Sequence, residues 1–169
     1  MDIIHNRHRH EGIDTAILRD IPFPSTNSTQ VKELLSRCPS SAVTPLVNAK
    51  QMAREQFVGQ ISIKDERQRM GLGSFKALGA AYVIAYRAMI EGESQVGKTY
   101  VTSSAGNHGL SVAAGAKAFG ANSVIYISST VPEAFVKRLM AEGAKVIRAG
   151  QVYEESMEAA KRAAEDNGW

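Results

Sequence analysis

The stretch Gly71-Leu72-Gly73-Ser74-Phe75-Lys76 carries a lysine out of a two-glycine turn and into the start of a helix. The spacing predicts Ser74 as the N-cap and Lys76 in the first turn. A helix N-terminus bears partial positive charge, which disfavours an ammonium group there by roughly 0.3–1 kcal/mol. A lysine so placed is easier to deprotonate, and only the free amine can attack an aldehyde and form a Schiff base. Lys76 is therefore a candidate imine-forming residue. The alternative is a solvated lysine on an amphipathic helix, the commoner use of that side chain.

A second candidate is Ser104-Ala105-Gly106-Asn107-His108-Gly109, which the pattern places as a tight turn between a strand and a helix. Small residues and glycines let backbone N–H groups approach a carboxylate at the mouth of the following helix, and Asn107 can hydrogen-bond a substituent on a planar ring. Ordinary strand-to-helix punctuation is the competing explanation. The turn is not a dinucleotide-binding G-x-G-x-x-G, because only Gly106 and Gly109 are glycines, and no Walker motif occurs.

The totals exclude several other classes. Lys plus Arg number 20 against 17 for Asp plus Glu, a formal +3 with no basic tract, so a nucleic-acid partner is not expected. His8-Arg9-His10 is the nearest approach to a metal cluster, but it sits in polar sequence near the N-terminus and reads as tail; no metal site is expected. The single cysteine, Cys38, precludes an intrachain disulfide and fits a reducing compartment. Pro39 follows it and no neighbouring base is evident, so a catalytic thiol is not expected there. No apolar run reaches the roughly 18–20 residues of a membrane span, and the start lacks a signal-peptide core. The expected location is cytoplasmic, with no membrane partner.

These residues must be positioned by the elements around them. Residues 1–30 lack a sustained period and end in the breaker string Ile21 to Ser28, which predicts an extended arm. A short helix is expected over Thr29–Arg37, stopped by Pro39. Thr44-Pro45-Leu46 reads as extended, followed by a weak helix from Ala49 to Gln56 and a strand over Gln60–Lys64, where apolar and polar residues alternate. Phe75, Leu78, Tyr82, Ala85 and Met89 then recur at helical spacing, predicting one helix from Ser74 to about Glu91. After Lys98 the pattern becomes strand and helix in alternation: strands at Thr99–Ser103, Ser123–Ser128 and Lys145–Ala149, with helices at Leu110–Phe119, from a Thr130–Glu133 capping box to Gly143, and at Tyr153–Asn167. Three such units about 22 residues apart imply an α/β, doubly wound parallel sheet.

Taken in order, Thr44-Pro45-Leu46, Lys64-Asp65-Glu66 through Lys76, and Ser104 through Gly109 resemble the opening half of the fold-type II pyridoxal-phosphate enzymes, the threonine dehydratase and tryptophan synthase beta class. Within it the Lys-Asp-Glu, Gly-Leu-x-x-Phe-Lys, Leu-Gly and Ala-Tyr sequence and the closing Asn167-Gly168-Trp169 look most like the diaminopropionate ammonia-lyases. The likeness runs from about residue 40 to 169. It implies an N-terminal arm and part of a large cofactor domain carrying Lys76 over 1–92, and a small α/β domain over 93–169 that lacks its last part. On that reading the fold is truncated, and the chain alone binds cofactor and turns over poorly.

The resemblance implies pyridoxal 5'-phosphate as cofactor, with Lys76 holding it as an imine and then serving as the base that removes the substrate α proton. It implies Asn107 as hydrogen-bond partner of the ring hydroxyl and Phe75 as packing beside the ring. Ser104, Ala105, Gly106, His108 and Gly109 would form the loop that receives the substrate carboxylate, with Thr44 and Asp65 as supports. The implied reaction is β-elimination from 2,3-diaminopropionate to pyruvate and ammonia, by a homodimer acting on a small amino acid. Ala105 departs from the lyases, which carry an acidic residue there, and is more like the dehydratases. That leaves a serine or threonine dehydratase as an alternative. A non-catalytic truncated chain acting in assembly and an unrelated doubly wound ligand binder are the others.

Overall fold

The computed structural model describes Gly12, residues 19–21 and residues 24–169. The His8-Arg9-His10 run and much of the expected arm lie outside the described residues. The elements in chain order are α1 (Thr29–Ser36), β1 (Leu46–Asn48), α2 (Lys50–Glu55), β2 (Ser62–Lys64), α3 (Ala80–Met89), β3 (Thr99–Thr102), α4 (Asn107–Ala118), β4 (Asn122–Ile127), α5 (Glu133–Ala141), β5 (Lys145–Arg148) and α6 (Tyr153–Asn167). Two single 3-10 turns, Arg69–Gly71 and Phe75–Leu78, stand between β2 and α3.

The strands form two separate sheets. β1 and β2 pair antiparallel with Val47 opposite Ile63. β3, β4 and β5 pair parallel in that order, with Val101 opposite Val124 and Ile125 opposite Val146. The middle strand β4 is apolar from Val124 to Ile127 and buried or half-buried from Ser123 on, as a strand covered on both faces must be. Ile125 and Ile127 meet Leu110, Val112 and Ala113 of α4 and Val136 and Leu139 of α5. Val124, out of phase with them, turns to the opposite face, where α6 packs through Ser156, Ala160 and Ala163. Helices on both faces make the sheet doubly wound. Each fully buried Ile or Leu contributes about 1.5–3 kcal/mol, so this layered region is where most apolar stabilisation lies.

Three local expectations are corrected. The helix expected from Ser74 to Glu91 is broken: a 3-10 turn ends at Leu78, Gly79 takes φ −84 and ψ −90, and α3 begins at Ala80. The helix expected from Leu110 starts at Asn107, with Gly106 as its N-cap, so Asn107, His108 and Gly109 are its first turn and not part of the loop before it. The Thr130–Glu133 capping box does not form. Pro132 is the N-cap of α5, the Thr130 hydroxyl pairs with Ser128 Oγ at 3.0 Å, and the Glu133 carboxylate accepts from Arg148 at 3.0 Å. Arg148 also donates to the Ser128, Ser129 and Val131 carbonyls, a tertiary arrangement that outcompetes the local one.

Candidate functional site

Lys76 sits on the short turn Phe75–Leu78. The turn is entered through Met70, Gly71 and Gly73, at φ 51, 71 and 81; the left-handed region is open to glycine and costly for methionine. Ser74 Oγ accepts the Lys76 backbone N–H at 3.2 Å, so the expected cap is present. Ser74 and Ala77 are buried while Phe75 and Lys76 are exposed, which turns the two candidate side chains outward. The Lys76 ammonium lies 5.9 Å from the centroid of the Phe75 ring and has no carboxylate partner among the described residues. One four-residue turn lacks the aligned peptide dipoles on which the first-turn expectation for Lys76 depended. What singles Lys76 out is its exposed position beside the Phe75 ring.

The second segment leaves the carboxyl end of β3 through Ser103, where ligands bind in open parallel sheets. Ser104, Ala105 and Gly106 are half-buried, Asn107 and His108 exposed, and Gly109 buried. Ala105 packs against the apolar cluster between α4, α5 and β4. A Cβ on Gly109 would lie 2.0 Å from the Ser104 carbonyl oxygen and 3.2 Å from Leu139 Cδ2. Glycine at 109 thus lets the loop fold back onto the first turn of α4.

Phe75 and Asn107, 32 positions apart in sequence, line one open cleft of about 520 Å³ together with Gly73 and Ser74, facing Val47, Ile63 and the Lys64–Arg67 segment. Lys76 adjoins this cleft through Phe75 without lining it. Ser104, Ala105, Gly106, His108 and Gly109 are not in its lining either.

A polar network fixes the opposite wall. Arg69 donates to both Glu66 carboxylate oxygens, Nε to Oε2 at 2.6 Å and Nη2 to Oε1 at 2.8 Å. Its Nη2 also donates to Thr44 Oγ1 at 2.8 Å and its Nη1 to the Ala42 carbonyl at 2.9 Å. The Thr44 hydroxyl donates to Glu66 Oε1 at 2.5 Å, and Lys64 Nζ to the Thr44 carbonyl at 2.6 Å. The Arg69 and Glu66 side chains are only 11% and 16% exposed. The Arg69 guanidinium, with help from the Thr44 hydroxyl, holds the Glu66 carboxyl well down, at about 2. Asp65 is also held at about 2, chiefly by hydrogen bonds from Arg67, but the Arg67 side chain is 83% exposed. Arg69 escaped the sequence reading; the Glu-x-x-Arg spacing in a charged stretch beside the turn is the signal that could have raised it.

The family model described as pyridoxal-phosphate dependent enzyme matches residues 39–169. Diaminopropionate ammonia-lyase of Escherichia coli (strain K12) is 33% identical over 140 residues, covering 75% of this chain and 35% of that protein. The L-threonine dehydratase catabolic TdcB of Staphylococcus aureus (strain USA300) is 31% identical over 125 residues, covering 74% of this chain and 35% of that protein. Among solved structures, the Escherichia coli diaminopropionate ammonia lyase in complex with an aminoacrylate-PLP azomethine reaction intermediate superposes with a TM-score of 0.74 at 31% identity, over 86% of this chain and 40% of that one. The chain thus spans about a third of the length of the curated relatives it matches.

Proposed function

The chain belongs to the pyridoxal-phosphate dependent enzyme family, and from that premise we propose that it carries the lysine-bearing part of an ammonia-lyase that eliminates the β-amino group of 2,3-diaminopropionate, giving with water pyruvate and two ammonia. The observation that carries this reading is the meeting of Phe75 and Asn107 at one cleft, with the Lys76 amine beside Phe75. The donor set suits pyridoxal phosphate: an exposed amine for its aldehyde, an aromatic face for its ring and a planar amide for a ring substituent. When bound, that cofactor withdraws electrons from the substrate α carbon.

The residues divide the work. Lys76 Nζ would hold the cofactor through its aldehyde carbon, and as a free amine it would accept the substrate α proton. Phe75 would pack beside the ring and Asn107 would hydrogen-bond its substituent. Ser104, Ala105, Gly106, His108 and Gly109 shape the loop and helix start that receive the substrate carboxylate. Thr44, Glu66 and Arg69 hold the facing wall, with Asp65 as a further support. In this reading residues 1–92 form the arm and the Lys76-bearing part of the cofactor domain, residues 93–169 a small α/β domain, and the enzyme acts as a homodimer.

Ala105 favours a second reading, a dehydratase acting on serine or threonine, because a methyl group packed against the core offers no acid beside the loop. The similarity to a threonine dehydratase agrees with it. The decisive experiment adds pyridoxal phosphate to the purified protein and records the absorption spectrum before and after borohydride, followed by peptide mass mapping. A weak but reducible visible band with the added mass on Lys76, lost in Lys76→Ala, is the expected result for this chain. Label confined to other lysines overturns the assignment. Comparing 2,3-diaminopropionate with serine and threonine as substrates then separates the two readings.

Among the described residues no helix is long and apolar enough to cross a membrane, and no group of three or more His, Cys, Asp or Glu is placed to hold a metal ion.

A further inference from the structure

We infer that Ser111 is a positioning residue for Lys76, acting as a wedge that keeps the lysine-bearing turn separate from α3. The inference rests on the reading of Lys76 as the cofactor-binding lysine. In an uninterrupted helix the Ala81 N–H would donate to the carbonyl four residues earlier, that of Ala77. Here that bond is replaced by a bridge: the Ala81 N–H donates to Ser111 Oγ at 3.1 Å, and the same hydroxyl donates to the Ala77 carbonyl at 3.4 Å. A side chain inserted between an N–H and its i−4 carbonyl is a recognised cause of a sharp helix break, and the break at Gly79 lies between these two residues.

The wedge comes from the segment that carries the other half of the site. Ser111 lies on α4, four residues after Asn107, and is 0% exposed. One turn further along the same face, Gly115 brings the α4 backbone against α3, where an added Cβ would lie 2.8 Å from Ala81 Cα. Ala81 is therefore gripped by Ser111 at its N–H and by Gly115 at its Cα. The hydroxyl fixes the Lys76 turn relative to the helix that presents Asn107, so it sets the spacing between two groups that address the same cofactor.

The test compares wild type with Ser111→Ala, using two readouts. The first needs no cofactor: amide hydrogen exchange resolved at Ala81. Without the hydroxyl that N–H either loses its partner or bonds the Ala77 carbonyl directly, so its rate shifts by about tenfold or more in one direction or the other, while Ile125 and Ile127 amides in β4 stay protected. The second is borohydride-fixed pyridoxal phosphate at Lys76, expected to fall about tenfold at a fixed subsaturating concentration. Unchanged Ala81 exchange overturns the wedge. Altered exchange with Lys76 labelling unchanged shows a merely structural serine and overturns the positioning role. Should wild type itself take no label at Lys76, the cofactor reading fails while the exchange arm still decides the wedge. If Ser111→Ala loses protection in β4, Gly79→Ala serves instead: position 79 is exposed, and an added Cβ meets only the Lys76 carbonyl at 3.4 Å. Alanine there favours a continuous helix, so the same drop in labelling is expected, and its absence overturns the proposal.

Discussion

The parallel sheet with α4, α5 and α6 and the segment from Thr44 to Gly79 are built by different physics. The sheet region is held by apolar residues at regular spacing, Ile125, Ile127, Leu110 and Leu139 among them, in a layered core. The Thr44–Gly79 segment leaves Leu46, Val47, Ile63 and Phe75 exposed and is tied down by the Thr44–Glu66–Arg69 network and two short 3-10 turns. The first region is a scaffold whose stability is spread over many contacts. The second carries the candidate lysine, and its geometry depends on a few directed bonds.

Substitutions should separate the two. The largest loss is expected from Leu139→Ala, which empties a fully buried position in the core and should cost about 2–5 kcal/mol, read as a lowered urea midpoint with the slope preserved. Gly109→Ala comes next: its Cβ would overlap the Ser104 carbonyl, and overpacking of that kind costs about 1–3 kcal/mol. Because the loop must move to admit it, this variant should also lose cofactor labelling at Lys76, which Leu139→Ala should lose only in step with global unfolding.

Arg69→Ala should have a smaller global effect and a larger local one, with faster amide exchange in β1 and β2 and little change in β4. The same network predicts a pH dependence. The folded Glu66 value, about 2, lies below the ordinary 4.5, so its contribution is fully present above about 4.5 and is lost as pH falls toward 2. Urea midpoints between pH 5 and 2 should drop less steeply in Glu66→Gln than in wild type. The smallest effect is expected for Arg67→Ala. Asp65 is also depressed to about 2, but Arg67 is solvent-exposed, so any change should shrink further in about 1 M salt.

The two regions also differ in how far they can be read from sequence. In the sheet region α6 runs over the expected residues, Tyr153–Asn167, and ends at Gly168 in the left-handed conformation; the strand bounds shift by at most one residue. Between Thr44 and Gly79, Ser74 caps the Lys76 turn as expected, and β2 falls within the expected strand. The break at Gly79 was not legible there: Leu78, Tyr82, Ala85 and Met89 keep helical spacing straight through it, and the hydroxyl that splits the helix belongs to Ser111, 32 positions further on.

Sequence by itself therefore determined the candidate residues, Lys76 and Asn107 above all, and the alternation of strand and helix after Lys98, since both are written in local spacing and side-chain type. Tertiary structure alone decided that Phe75 and Asn107 share a cleft, that Thr44 joins the Glu66–Arg69 pair, and that Lys76 rides on a 3-10 turn. Each of these depends on a partner far away in the chain or on a backbone path that periodicity cannot encode, and a hydrogen bond to such a partner outweighs the modest propensity that would have carried the helix straight on.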